Sequence, residues 1–256
     1  MTAIVECAYA QARIEARHGE RLQDVDWRTL ESARSLPRYL EGANSTVLKR
    51  FLTEISSDMS VHAIERLLRR EGVLYACEIA SWAPRRWRPA IAWLAALPIL
   101  PFVEGLGIGA STPSRIHEDS LLGPLASSGA GQARSILAAA AQLVHGEAAQ
   151  TGVGRCWLRR WRQLWPQGDA AAGDLARLVD QALRALSLAD VEPEANGGHW
   201  FRHDLVRVLM RFFRSHGASP VALVCHVGLV LVDIERLRGG LVRRSLFGMD
   251  EGRIAA

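Results

Sequence analysis

Lysine is almost missing from this chain: of 31 basic residues, Lys49 is the only lysine and the rest are arginine. Cysteine is scarce too. Cys7, Cys77, Cys156 and Cys225 stand alone and far apart. Isolated thiols lack the paired spacing of a zinc site, so reduced, buried thiols in a cytoplasmic protein are expected. No leader-like run opens the sequence, where Glu6, Arg13 and Glu15 stand instead. There is no GxxxxGK[ST] loop for a nucleotide phosphate and no HExxH pair for a metalloprotease. No segment alternates polar and apolar residues as a half-buried strand does, and none joins two such runs through an Asn-Gly turn. A long membrane-spanning run is lacking as well. "PAIAWLAALPILPFV" (89–103) is apolar throughout but falls short of the roughly 20 residues a span needs. Pro98 and Pro101 interrupt it, so a buried helix ending in an irregular turn is expected.

What remains is helical. The 256 residues are 49% hydrophobic and 23% charged, enough for a sizeable core and ordinary for a folded protein. Ile4, Val5, Ala8 and Ala12 form one stripe of a helix over 3–18. Asp26 can cap a short helix through Ala33, and Asn44 or Ser45 another through Ile55. Ser60 opens a helix on which Val61, Ile64, Leu67, Leu68 and Val73 or Leu74 follow a period near 3.6. Further helices are expected over 131–149, along "VGRCWLRRWRQLWP" to Pro166, from Asp174, and over 199–216 and 220–247. Gly, Ser and Pro concentrate in 105–131, and a second loop covers 189–198. The fold class is all-α, divided as an N-terminal lobe 1–104, a middle segment 105–198 and a C-terminal lobe 199–256, together one compact assembly.

Two stretches align without gaps. "PAIAWLAALPILPFVEGL" from Pro89 lies beneath "PVALVCHVGLVLVDIERL" from Pro220. Pro89 then meets Pro220, Leu100 meets Leu231, Glu104 meets Glu235 and Leu106 meets Leu237. An amphipathic helix precedes each, "IERLLRR" and "LVRVLMRFFR". A duplicated helical unit is the expectation, the kind of repetition that builds layered scaffolds.

The C-terminal "DIERLRGGLVRRSLFGMDEGRI" resembles the closing signature of the C/d-type central-stalk family of V-type and archaeal A-type ATPases. Asp233-Ile234, Leu237-Arg238, Arg243-Arg244, Gly248 and Asp250-Glu251 occupy the places of that pattern. "YAQARIEARHGERL" from Tyr9 resembles the family's opening helix, and "IERLLRR" from Ile64 its internal unit. The likeness touches about 110 residues through motif order rather than any one motif. Glu235-Arg236 departs from the pattern, the arm to Gly248 is longer by one residue, and no third repeat is evident. The resemblance implies a partial version of the family's pseudo-threefold funnel: either the middle lobe is reduced, or the chain belongs to an assembly outside the standard one.

That resemblance further implies a non-catalytic central-stalk role without cofactor or metal. The chain would couple the central shaft to the c-ring proteolipid of a rotary ATPase during proton or sodium transport, peripheral on the cytoplasmic face of the membrane. Asp233, Glu235, Arg236, Arg238, Arg243 and Arg244 are then expected to emerge from their helix onto a partner surface. The alternative for them is solvation of a helix end. Trp157, Trp161 and Trp165, at i, i+4 and i+8, share one helix face. That face is an anchor into the core, into a partner helix, or onto a membrane surface.

Competing chemistry is thin. His199 and His203 have a metal-compatible i, i+4 spacing, but "HWFRHD" supplies no glutamate and no second cluster, so a structural role is expected. "GLGIGAS" (105–111) follows no strand and lacks GxGxxG spacing. The alternative function is a nucleic-acid-binding module, from the Arg–Trp interleaving of "RRWRP" and "RCWLRRWRQLWP".

Overall fold

A computed structural model describes residues 3–101, 152–189 and 199–247. The expected linker 105–131, the helix 131–149, the loop after Ala189 and the tail beyond Phe247 lie outside the described residues. Every regular element among the described residues is helical. In chain order they are α1 (Ala3–Gly19), α2 (Asp24–Glu31), α3 (Leu36–Asn44), a 3-10 turn (Val47–Phe51), α4 (Val61–Trp82) and α5 (Arg88–Ala92). A second 3-10 segment (Trp93–Ile99) follows, then α6 (Val153–Gln163), α7 (Ala170–Ala189), α8 (His199–Ser215) and α9 (Pro220–Phe247).

Helices α4 and α9 form the centre. The Ser60 hydroxyl accepts from the Ala63 amide and caps α4. Ala83, extended at ψ 152° before Pro84, ends it. Ile64, Leu68, Ala76 and Ile79 are fully buried along its inner stripe. The 28-residue α9 is sequestered on nearly all sides from Val221 to Val227, then narrows to a stripe of Ile234, Leu237 and Leu241. It packs against α4 and against α8. One hydrophobic cluster runs from Ala10 to Leu241 and unites helices from all three expected segments.

Both aligned stretches pack on α4, but they do not share a form. From Pro220 the chain is one continuous α-helix, whereas from Pro89 it is a short α-helix that tightens to 3-10 at Trp93. Pro98 explains the difference, because it lacks an N–H and its ring opposes a continuing α-turn. Gly72 of α4 touches both: a Cβ there would sit 3.2 Å from Pro98 and 3.3 Å from Leu231.

The tryptophan face of α6 turns inward. Trp157, Trp161 and Trp165 are at most 9% exposed, and the first two bond to α5 and the 3-10 segment after it. Trp93 and Trp157 exchange indole N–H bonds with each other's carbonyls at 3.2 and 3.4 Å, and Trp161 donates to the Ala90 carbonyl at 2.8 Å. Trp157 stacks on Trp161 with centroids 5.2 Å apart, and Trp161 meets Trp165 edge-on at 5.3 Å. Their place is the interior of this chain, which excludes them as a surface for a partner or a membrane.

Helix α3 has no counterpart among the expected elements. Its Pro37 lies in the first turn, Tyr39, Leu40 and Ala43 are buried, and the helix packs on α9. The approach there is close: a Cβ on Gly240 would lie 2.2 Å from the Tyr39 hydroxyl oxygen and 2.4 Å from its ring carbon. Adjacent Gly239 has nothing within 4 Å of its Cβ direction. Two glycines side by side in one helix therefore respond oppositely to the same change. Gly240→Ala is expected to destabilise the fold by about 1–3 kcal/mol through overpacking. Gly239→Ala is expected to stabilise it by up to about 1 kcal/mol through helix propensity. Urea unfolding of the two variants beside the parent checks both signs.

Candidate functional site

Arginine organises the polar structure around α9. Arg21, just past α1, forks onto Asp233 with N–O distances of 2.7 and 2.9 Å, and both side chains are about nine-tenths buried. Burial lifts the Asp233 carboxyl above its ordinary pKa, and the Arg21 fork opposes the rise. Two parallel N–H···O bonds suit the ionised carboxylate. Arg236 forks onto Glu31 at 2.7 and 3.0 Å, with Asp24 at 3.5 Å, and its guanidinium lies 4.7 Å from the Trp27 ring centroid. Arg238 bridges Glu65 of α4 at 2.8 Å and Glu235 at 2.9 Å. Arg244, only 5% exposed, donates to the carbonyls of Glu31, Ala33 and Gly240 and covers the Tyr39 ring at 4.0 Å. Burial pushes its pKa down, and burial pushes the Tyr39 phenol up to about 12.

These contacts revise the expected partner surface. Asp233, Arg236, Arg238 and Arg244 do not emerge onto one; they lock α9 to α2 and α4, to Arg21 beyond α1 and to the turn after α2. The physical reason is the reach of arginine, whose fork can satisfy carboxylates and carbonyls some 200 residues away in sequence. Glu235 and Arg243 are the two that stay exposed, as do Leu246 at 59% and Phe247 at 79% further along the helix.

Behind this belt lies a pair of imidazoles. His226, fully buried on α9, shares a 2.7 Å hydrogen bond between its Nε2 and the Tyr75 hydroxyl of α4. His18 of α1 stacks on Phe213 with centroids 4.1 Å apart and meets His226 edge-on at 6.2 Å. The Nδ1 atoms of both rings are buried without a hydrogen-bond partner among the described residues. Burial depresses His226 to about 3, helped by the charges of His18, Arg21, Arg17 and Arg50. Burial, then Arg21 and Arg214, depresses His18 to about 4. Both rings are neutral near pH 7. They knit α1, α4, α8 and α9 together rather than poise a proton for transfer.

A third feature is a shelf at the meeting of α1, α4 and the first 3-10 turn. Arg13 and Arg17, at i and i+4 on α1, place their guanidiniums 4.1 and 4.5 Å from the Trp82 ring centroid. Arg50 lies 4.6 Å from the Tyr75 ring. Glu78 receives Arg17 at 2.6 and 2.9 Å and Arg50 at 3.2 Å, and the Arg17 hydrogen bonds hold its carboxyl below the usual range.

Sequence reasoning misses both the shelf and the imidazole pair. Arg13 and Arg17 read as the polar side of an amphipathic helix, and nothing local indicates that Trp82, some 65 residues on, closes over them. Among the described residues, no group of three or more His, Cys, Asp or Glu could hold a metal ion. The late histidines diverge: His226 is buried, His203 is exposed, His216 stacks on Phe212, and the His199 side chain lies outside the described residues. Among the described residues, no helix is long and apolar enough to cross a membrane. No protein-family model, curated protein or solved structure matches this chain.

The imidazoles make stability depend on pH with a definite sign. Their folded pKa values lie below the value of about 6.5 in an unfolded chain, so the unfolded state binds more protons as pH falls below that value. Stability is thus complete above about pH 6.5 and is lost on acidification, His226 alone contributing about 1.4 kcal/mol per pH unit. Unfolding free energies measured between about pH 6.5 and 5, above the main carboxylate range, should fall accordingly. A flat profile over that window would contradict neutral burial of the pair.

Proposed function

We propose that this chain is a non-catalytic coupling component of a rotary V/A-type ATPase. It would sit between the central shaft and the c-ring proteolipid, peripheral on the cytoplasmic face, during proton or sodium transport. The proposal rests on the ordered motifs at Tyr9, Ile64 and Asp233 and on one structural observation that carries it. Helix α9, 28 residues long, is tied to the N-terminal helices by Arg21–Asp233, Arg238–Glu65, Arg236–Glu31 and the Arg244 contacts with backbone carbonyls. A piece that transmits torque must resist shear between its helices. Buried and half-buried guanidinium forks supply directional resistance that apolar packing alone lacks. In this reading Arg243, Glu235, Leu246 and Phe247, exposed along the late half of α9, form the end presented to the rotary partner.

The nucleic-acid alternative loses its main support when the tryptophans are interior. Base stacking needs exposed rings, and Trp157, Trp161, Trp165 and Trp87 are all at most 9% exposed. A single-stranded oligonucleotide titrated at low salt is expected to show no tryptophan-dependent binding; saturable binding lost in Trp157→Phe would restore that alternative.

Affinity purification of the full chain from its native cells is the direct test. Shaft and proteolipid components are expected to accompany the parent protein, and Arg243→Ala combined with Leu246→Ala should reduce their recovery several-fold. Recovery of neither component with the parent protein would overturn the proposal.

A further inference from the structure

We infer that the arginine shelf on α1 is a docking site for an acidic segment of a partner protein. The inference rests on the adaptor reading only in that an adaptor must hold a second chain; the site itself is argued from its own geometry.

The shelf carries more positive charge than it needs. Arg13, Arg17 and Arg50 share one carboxylate, Glu78. Arg17 and Arg50 bind it directly. Arg13 donates to the Tyr9 hydroxyl at 2.9 Å, lies over Trp82, and has no carboxylate partner among the described residues. Three guanidiniums against one carboxylate leave a surplus of two positive charges on a small area. Several like charges gathered around one carboxylate favour a further anion beside them.

The aromatic residues decide what kind of anion fits. Trp82 and Tyr75, 9% and 4% exposed, are a floor beneath the guanidiniums rather than platforms open to solvent. Stacking occupies a face of each guanidinium and leaves its edge N–H groups for an oxygen ligand. Glu78 already displays the geometry in which such an edge meets a carboxylate. Tyr9, 59% exposed beside Arg13, adds an amphipathic ring at the rim. Arginine, tyrosine and tryptophan together are the composition that dominates binding at protein interfaces. Buried rings disfavour nucleobases, which stack on open faces. The same burial leaves neither ring to insert into a lipid surface.

A second basic stripe supplies the control. Arg207, Arg211 and Arg214 on α8 line an open groove of about 590 Å³ with Val206 and Met210. Arg207 pairs with Asp204 at 3.2 Å and Arg211 with Gln181. They offer charge without the tryptophan floor.

The test titrates the full chain with a fluorescently labelled deca-glutamate peptide and reads anisotropy. Arg13→Ala combined with Arg50→Ala should weaken binding by roughly tenfold or more, since charge-assisted pairs are lost. Arg13→Glu alone, at an exposed residue without a direct carboxylate bond among the described residues, should do the same with the thermal unfolding midpoint little changed. Arg207→Ala with Arg211→Ala should leave binding within about twofold. No saturable binding by the parent protein overturns the site. So does equal weakening by both sets of variants, or a preference for anionic phospholipid vesicles or oligonucleotide over the peptide. Co-purification of shaft and proteolipid components is a separate readout. If it persists while peptide binding fails, the site falls and the adaptor reading stands; the reverse outcome keeps the site and removes that reading.

Discussion

The structure depends on how α9 is held. A helix with a nearly all-apolar first half would be buried by any helical core, but its later half carries Asp233, Arg236, Arg238 and Arg244 on or beside the inward stripe. A buried charge left alone costs several kcal/mol. Each of these is therefore met: Asp233 by Arg21, Arg236 by Glu31, Arg238 by Glu65, and Arg244 by backbone carbonyls at the end of α2 and in the turn after it. Such pairs contribute little net stability against an apolar replacement, yet losing one partner is severe. Each contact joins α9 to a defined position on the N-terminal helices or the turns beside them.

The same helices bring together the imidazoles and the arginine shelf. Tyr75 belongs to both: its hydroxyl meets His226 inside, and its ring lies under Arg50 outside. Binding at the shelf would thus bear on α4 at the residue that touches α9. The tryptophan helix α6 stabilises a different region, where Trp93 and Trp157 satisfy each other's indole N–H groups in an apolar setting. Its face is amphipathic for the sake of the core, while Arg155, Arg159 and Arg160 take the solvent side.

Periodicity makes most helices legible because α1, α4, α8 and α9 each carry an apolar stripe or run that a helix can bury. Caps help where one side chain acts alone, as at Ser60, and mislead where a neighbour shares the task. Helix α2 starts at Asp24, three residues before the start that Asp26 as N-cap would give, because Gln23 is the cap and donates its backbone N–H to the Asp26 carboxylate at 2.8 Å. Helix α3 is only nine residues long and carries Pro37 in its first turn, where proline is tolerated. The stretch from Pro89 reads as a buried helix ending in an irregular turn, and the departure from α geometry begins at Trp93, ahead of Pro98. The alignment with the stretch from Pro220 is a likeness of residues and of packing on α4, not of backbone.

Sequence alone determined the helical class, the positions of the long helices and the single face that the α6 tryptophans share, since each follows from local spacing and solvent avoidance. Only the tertiary structure decided that this face turns into the core, and which arginines are buried in the fold and which stay exposed. The physical reason is that a guanidinium on a long flexible stem has no local signature of its fate. Arg244 and Arg243 are neighbours in the chain, and the packing of α3 against α9 buries one while leaving the other exposed.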